Sequence, residues 1–133
     1  MERSADLVAA TQRFYDAFST GDAATVTGLM STSDALLFIG TDPDEWLTDH
    51  ASVTQLLGAQ VGAGLKVRGG DIQAFEEGAV GWIADRGAFI LPDGTEAPFR
   101  LTAVFHKQGD EWRIVQAHAS FAVSNEEAVG TEL

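Results

Sequence analysis

The second half of the chain leaves little choice of architecture. From Leu65 to Val123 it sets strand-length apolar stretches one after another, punctuated by "EEG" at 76 to 78, "PDG" at 92 to 94 and "QGDE" at 108 to 111. Strands joined by such short turns pair antiparallel, because a parallel neighbour needs a crossover of a dozen residues or more. An antiparallel sheet of this kind has one apolar face to cover. The cover must come from upstream of the glycines at 62 and 64, where the periodicity is helical.

Residues 4 to 19 place Leu7, Ala10, Phe14, Ala17 and Phe18 at helical spacing, with Ser4 as N-cap and Gly21 as the stop. Asp22 caps a second, shorter helix through about Met30, with Ala23, Val26, Leu29 and Met30 as its apolar positions. "ALLFIG", 35 to 40, reads as a short buried strand, and a third helix runs from Ala51 to about Val61 on Val53, Leu56, Leu57 and Val61. Helices followed by hairpins make an α+β chain, with a curved antiparallel sheet wrapped around N-terminal helices. With 133 residues, 45% of them hydrophobic, there is material for one core and one domain. That domain is expected over 1–125, with 126–133 as a frayed acidic tail.

Charge narrows the partners. Twenty acidic against 8 basic side chains leave a net charge of −12, which repels phosphate backbones and anionic lipid, so neither nucleic acid nor a membrane surface is expected. There is no cysteine, which removes disulfides and thiolate chemistry. The first residues lack an apolar leader core, and no apolar run reaches the ~18 residues of a membrane helix. The expectation is a soluble, cytoplasmic protein that needs no cofactor.

The last two strands separate the faces of the sheet. In "FRLTAVFH", Phe99, Leu101, Ala103 and Phe105 alternate with Arg100, Thr102, Val104 and His106. In "EWRIVQAHASFAV", Arg113, Val115, Ala117, Ala119 and Phe121 alternate with Trp112, Ile114, Gln116, His118 and Ser120. The first set in each strand is expected to face the helices. The second is too neutral and too apolar for open solvent, which predicts a homodimer through the outer face on Arg100, Thr102, His106, Gln116, His118 and Ser120.

"STGDAATVTGLM", "GTDPDEW" and the closing "RLTAVFHKQGDEWRIVQAHASF" resemble the SnoaL-like proteins of the nuclear transport factor 2-like superfamily. The ending is also similar to the association domain of calcium/calmodulin-dependent kinase II. The resemblance spans Leu7 to Val123 and implies a cystatin-like α+β cone with a pocket at its open end and a sheet-on-sheet dimer. It leaves the activity open, since the superfamily hosts isomerases, cyclases, dehydratases and assembly domains. The ketosteroid isomerase motif does not transfer. Counting from Gly21-Asp22, its base position falls close to Phe38, its tyrosine near Phe14 with Tyr15 one step off, and its late aspartate near Leu101 or Thr102.

A small apolar organic ligand is therefore expected, held by Phe14, Phe18, Phe38, Leu101, Ala103, Phe105, Ala117, Ala119 and Phe121. Tyr15, the only tyrosine, and Trp46 would add the few polar or aromatic contacts. Of the mid-strand pair Asp85-Arg86, Asp85 shares the parity of Ile83, Phe89 and Leu91, which makes it the inward charge and the candidate general base. A strand-edge or bulge position near Gly87 is the competing reading. His106 and His118 could instead serve as bases, but their parity puts them outside. The glycines, Gly69-Gly70 included, match no phosphate-loop spacing.

In "FIGTDPDEWLTDH", 38 to 50, Asp42, Pro43 and Glu45 spell a capping box for one helical turn, and Asp49 caps the third helix. That leaves Trp46 at the pocket rim. Asp42, Asp44 and Asp49 are read as caps and turns, and no metal site is assigned to them.

Overall fold

The computed structural model describes residues 1–133 and has the helices-then-hairpins order. β1 is Glu2–Arg3, α1 Ala5–Thr20, α2 Ala23–Gly28, β2 Leu37–Ile39, β3 Trp46–Leu47 and α3 His50–Gly62. β4 is Lys66–Arg68, β5 Gln73–Glu77, β6 Val80–Ile90, β7 Glu96–Gln108, β8 Glu111–Phe121 and α4 Asn125–Val129. The main path of the sheet runs β1-β5-β6-β7-β8-β2-β3, with β4 pairing the far end of β6. No helix is long and apolar enough to cross a membrane.

α1 starts where Ser4 Oγ accepts the Leu7 N–H at 3.1 Å and stops at Gly21, whose φ of 80° is a left-handed conformation that glycine adopts freely. Its buried face carries Leu7, Ala10, Thr11, Tyr15 and Phe18 and packs on β4, β5 and β6. Asp22 and Asp49 cap α2 and α3, accepting from Thr25 N at 3.1 Å and Ser52 N at 2.8 Å. Those hydrogen bonds hold both carboxyls below the usual aspartate range, the Thr25 hydroxyl contributing most for Asp22 and the Ser52 N–H for Asp49.

Three features differ from the sequence reading. First, the sheet is mixed: β2 lies parallel to β8, with Phe38 opposite Ala117. The chain can run parallel there because α3 and three hairpins intervene, which is crossover enough.

Second, Asp42 to Glu45 close a β2–β3 hairpin, not a helical turn. The Glu45 carboxylate does reach the Asp42 N–H at 3.3 Å, but Ile39 pairs with Trp46 and the Gly40 N–H donates to the Glu45 carbonyl at 2.8 Å. Asp42 Oδ1 accepts from Asp44 N at 3.0 Å, a local turn bond, and no group of three or more His, Asp or Glu converges as metal ligands would.

Third, the alternation of β8 breaks at a bulge. Val104 opposes Gln116 but Phe105 opposes Ile114, so Val115 is the extra residue. One inserted residue reverses parity, and Trp112 and Ile114, expected outside, are 7% and 5% exposed in the core. The acidic tail, expected to be frayed, carries α4, capped by Ser124, whose Oγ accepts from Glu127 N at 3.1 Å.

Candidate functional site

α1 and the inner face of the sheet line a narrow cavity of about 60 Å³. Eighteen residues line it and 16 are hydrophobic, so it favours apolar matter and offers few anchors to anything else. Phe14, Tyr15, Phe18, Phe38, Leu101, Ala103, Phe105, Ala117 and Ala119 are all on its wall. The sheet register brings them there: Ala103 faces Ala117 and Leu101 faces Ala119 on adjacent strands, all on the inner side.

Two expected lining residues lie elsewhere. Trp46 is 63% exposed on β3, the last strand of the sheet, because the hairpin turns it outward. Phe121 is 44% exposed at the end of β8, where it meets only the edge of Phe89, 6.2 Å between ring centres. The wall also includes Thr11, Met30, Leu57, Gln60, Val67, Ile83, Phe89, Phe99 and Ile114. Phe99 shares the parity of Leu101 and could have been read from sequence. Val67 and Leu57 come from β4 and α3 and carried no such signal.

With Thr11 and Gln60, Tyr15 supplies the polar groups of the wall, and its partner is Asp85. The Tyr15 hydroxyl donates to Asp85 Oδ2 at 2.8 Å, and both groups are buried, 4% exposed each. Asp85 sits inside the sheet while Arg86, one residue on, is exposed on the outside. The carboxylate also accepts the Gly70 N–H, at 3.2 Å to Oδ1 and 3.1 Å to Oδ2. Asp85 does not itself line the cavity; it borders the groove that Arg86 and Arg100 line.

Burial first, then the hydrogen bond to Asp85 and the charge of that carboxylate, keep the Tyr15 hydroxyl protonated well above the ordinary value of 10.0. At neutral pH Tyr15 is a neutral phenol hydrogen-bonded to Asp85.

The loop from β4 to β5 makes this pair possible. Ser19 anchors it, accepting from Val67 N at 2.9 Å and donating to Val67 O at 3.0 Å, which ties the end of α1 to β4. Gly69 and Gly70 then pass against the pair. A Cβ on Gly69 would lie 2.8 Å from the Tyr15 ring, and one on Gly70 would lie 2.0 Å from the Arg86 carbonyl and 3.0 Å from Asp85 Oδ1. These glycines, tested in the sequence only against phosphate loops, are here for close approach.

On the outer face Arg100, Thr102, His106 and His118 are exposed, and Gln116 and Ser120 half-buried. Thr102 opposes His118 across β7 and β8, and Arg100 opposes Ser120.

The family model described as SnoaL-like domain matches residues 7–124. No curated protein matches the chain. Among solved structures, a nuclear transport factor 2-like protein of Streptomyces avermitilis, named as a candidate dehydratase, superposes with a TM-score of 0.78 at 17% identity, over 89% of this chain and 94% of that one. A candidate calcium/calmodulin-dependent kinase II association domain of Xanthomonas campestris gives 0.72 at 15% identity, over 92% and 95%. A cystatin-like protein of Caulobacter vibrioides gives 0.73 at 14%, over 92% and 91%. At these identities the likeness is one of fold.

Proposed function

The chain belongs to the SnoaL-like domain family, and on that premise we propose that it binds a small apolar organic molecule in the cavity and passes a proton between that molecule and Asp85 through Tyr15. The observation that carries this reading is the Tyr15–Asp85 hydrogen bond beside a mostly apolar wall. Because the hydroxyl donates to Asp85, its oxygen is free to accept from an O–H or N–H of a bound ligand. A proton arriving from the ligand releases the tyrosine's own proton onto the carboxylate; run backwards, the same path delivers one. Isomerisation, cyclisation and dehydration each include a proton transfer of this kind among their steps. Dehydration is the first to try, given the candidate dehydratase among the similar structures.

Binding is tested with N-phenyl-1-naphthylamine, an uncharged probe that brightens in apolar surroundings. Saturable binding is expected, weakened about tenfold or more by Ala119→Phe or Leu101→Trp, which fill the cavity. Thr102→Ala, on the outer face, should leave it unchanged. If both filling variants fold and still bind like the parent, the cavity is not the site.

A second reading rests on a different observation. Trp82 and Val80 are 39% and 50% exposed on the outer face, and Trp82 stacks on Phe75 at 5.2 Å between ring centres. Val104 and Gln116 continue that row across β7 and β8. Such a patch supports a homodimer through the outer face, with Gln116, Thr102 and His118 around its middle. Sedimentation should give a dimer for the parent and a monomer for Trp82→Glu; a monomeric parent would sink this reading.

A further inference from the structure

We propose that Arg86 and Arg100 form a binding site for a small anion, carboxylate or phosphate, on the outer face of the sheet. The two residues face each other in register on β6 and β7, and both are exposed. Directly opposed side chains on adjacent strands have Cβ atoms about 5 Å apart, and like charges so placed repel. No direct ion pair relieves that repulsion. Arg68 pairs with Glu96 and Arg113 with Glu111, but neither Arg86 nor Arg100 has an ion pair or a side-chain hydrogen bond.

The surroundings suit an anion. Both arginines line a groove open to solvent, together with Thr102 and Gln73, which offer a hydroxyl and an amide. Two adjacent guanidinium groups can each present paired N–H donors to the oxygens of one carboxylate or phosphate, and a charge shared between them removes their mutual repulsion. The occupant must be small. A net charge of −12 repels an extended polyanion, and Asp71 and Asp85, which border the same groove, disfavour a second anionic group on the ligand. The pair lies four residues along β7 from Val104, roughly 13 Å from the apolar patch around Trp82, with Thr102 shared between the groove and the proposed dimer face. The sheet separates it from the inner cavity, Leu101 bordering both.

The test is calorimetric titration at low ionic strength with inorganic phosphate and, separately, acetate. At least one anion should bind, the two arms deciding between phosphate and carboxylate. Arg86→Gln and Arg100→Gln should each weaken binding about tenfold or more, and Arg13→Gln should leave it unchanged. Neither substitution touches the core, so folding is not at risk. Binding of neither anion, or equal binding by parent and both variants, overturns the proposal. It is also overturned if the parent is a dimer that binds no anion and Arg86→Glu with Arg100→Glu makes it monomeric, for then the pair serves a second copy of the chain.

Discussion

Gly70→Ala should lower the free energy of unfolding by about 3 kcal/mol, a large share of the stability of a domain this size. The new methyl would stand 2.0 Å from the Arg86 carbonyl, which is backbone within β6 and cannot swing aside. The loop must move instead, and in moving it withdraws the N–H that Asp85 accepts at 3.1 and 3.2 Å. Urea denaturation measures the loss, and probe binding in the cavity should fall with it. The control is Gly58→Ala in the middle of α3, where an added Cβ meets nothing within 4 Å. That change should stabilise by about 0.5–1 kcal/mol through the backbone entropy of the unfolded chain. If the two substitutions have similar effects, the close approach of the loop to β6 is not what the structure indicates.

The second large effect belongs to the buried pair. Asp85→Ala removes the acceptor of both the Tyr15 hydroxyl and the Gly70 N–H, and each donor left without a partner costs about 1–3 kcal/mol. A loss of about 3 kcal/mol is expected. Tyr15→Phe alone should cost less, since the carboxylate keeps the Gly70 bond. The double variant should cost less than the sum, leaving a coupling of about 1–3 kcal/mol in a double-mutant cycle. Strict additivity would mean that the two groups do not interact.

The same pair sets an alkaline limit. Tyr15 holds its proton to a higher pH when folded than when unfolded, where the proton leaves near 10.0. Below that pH both states keep the proton, and the contribution to stability is fully present. Above it the folded chain binds more protons than the unfolded one, so stability falls by about 1.4 kcal/mol per pH unit. Tyr15→Phe should remove that part of the slope.

Much of the fold was legible in the sequence because its signals are local. Ser4, Asp22 and Asp49 are caps at the positions their chemistry suggests, and the hairpin turns fall at the glycines that end "EEG" and "PDG". The inward side of β7 could be read from alternation alone. Where sequence reasoning slipped, a non-local choice had been made. Val115 is an ordinary strand residue by propensity, and only the pairing of β7 with β8 makes it a bulge and puts Trp112 and Ile114 inside. Glu45 bonds to Asp42 as a capping box would, but the strand partner of Ile39 decides that the turn closes a hairpin, and Trp46 goes outward with it.

The main helices and hairpin strands, the caps Ser4, Asp22 and Asp49 and the inner face of β7 could thus be read from the sequence alone, with Asp85 as the first choice for the inward charge. These depend on residues within a few positions of each other. Tertiary structure alone decided that Asp85 meets Tyr15, 70 residues away, and that Gly69 and Gly70 cross beside them. It also placed Arg86 opposite Arg100 on the other side of the sheet. Periodicity can tell which way a side chain points. What it meets there is set by strand register and by the path of a loop, and both are fixed by packing between distant segments.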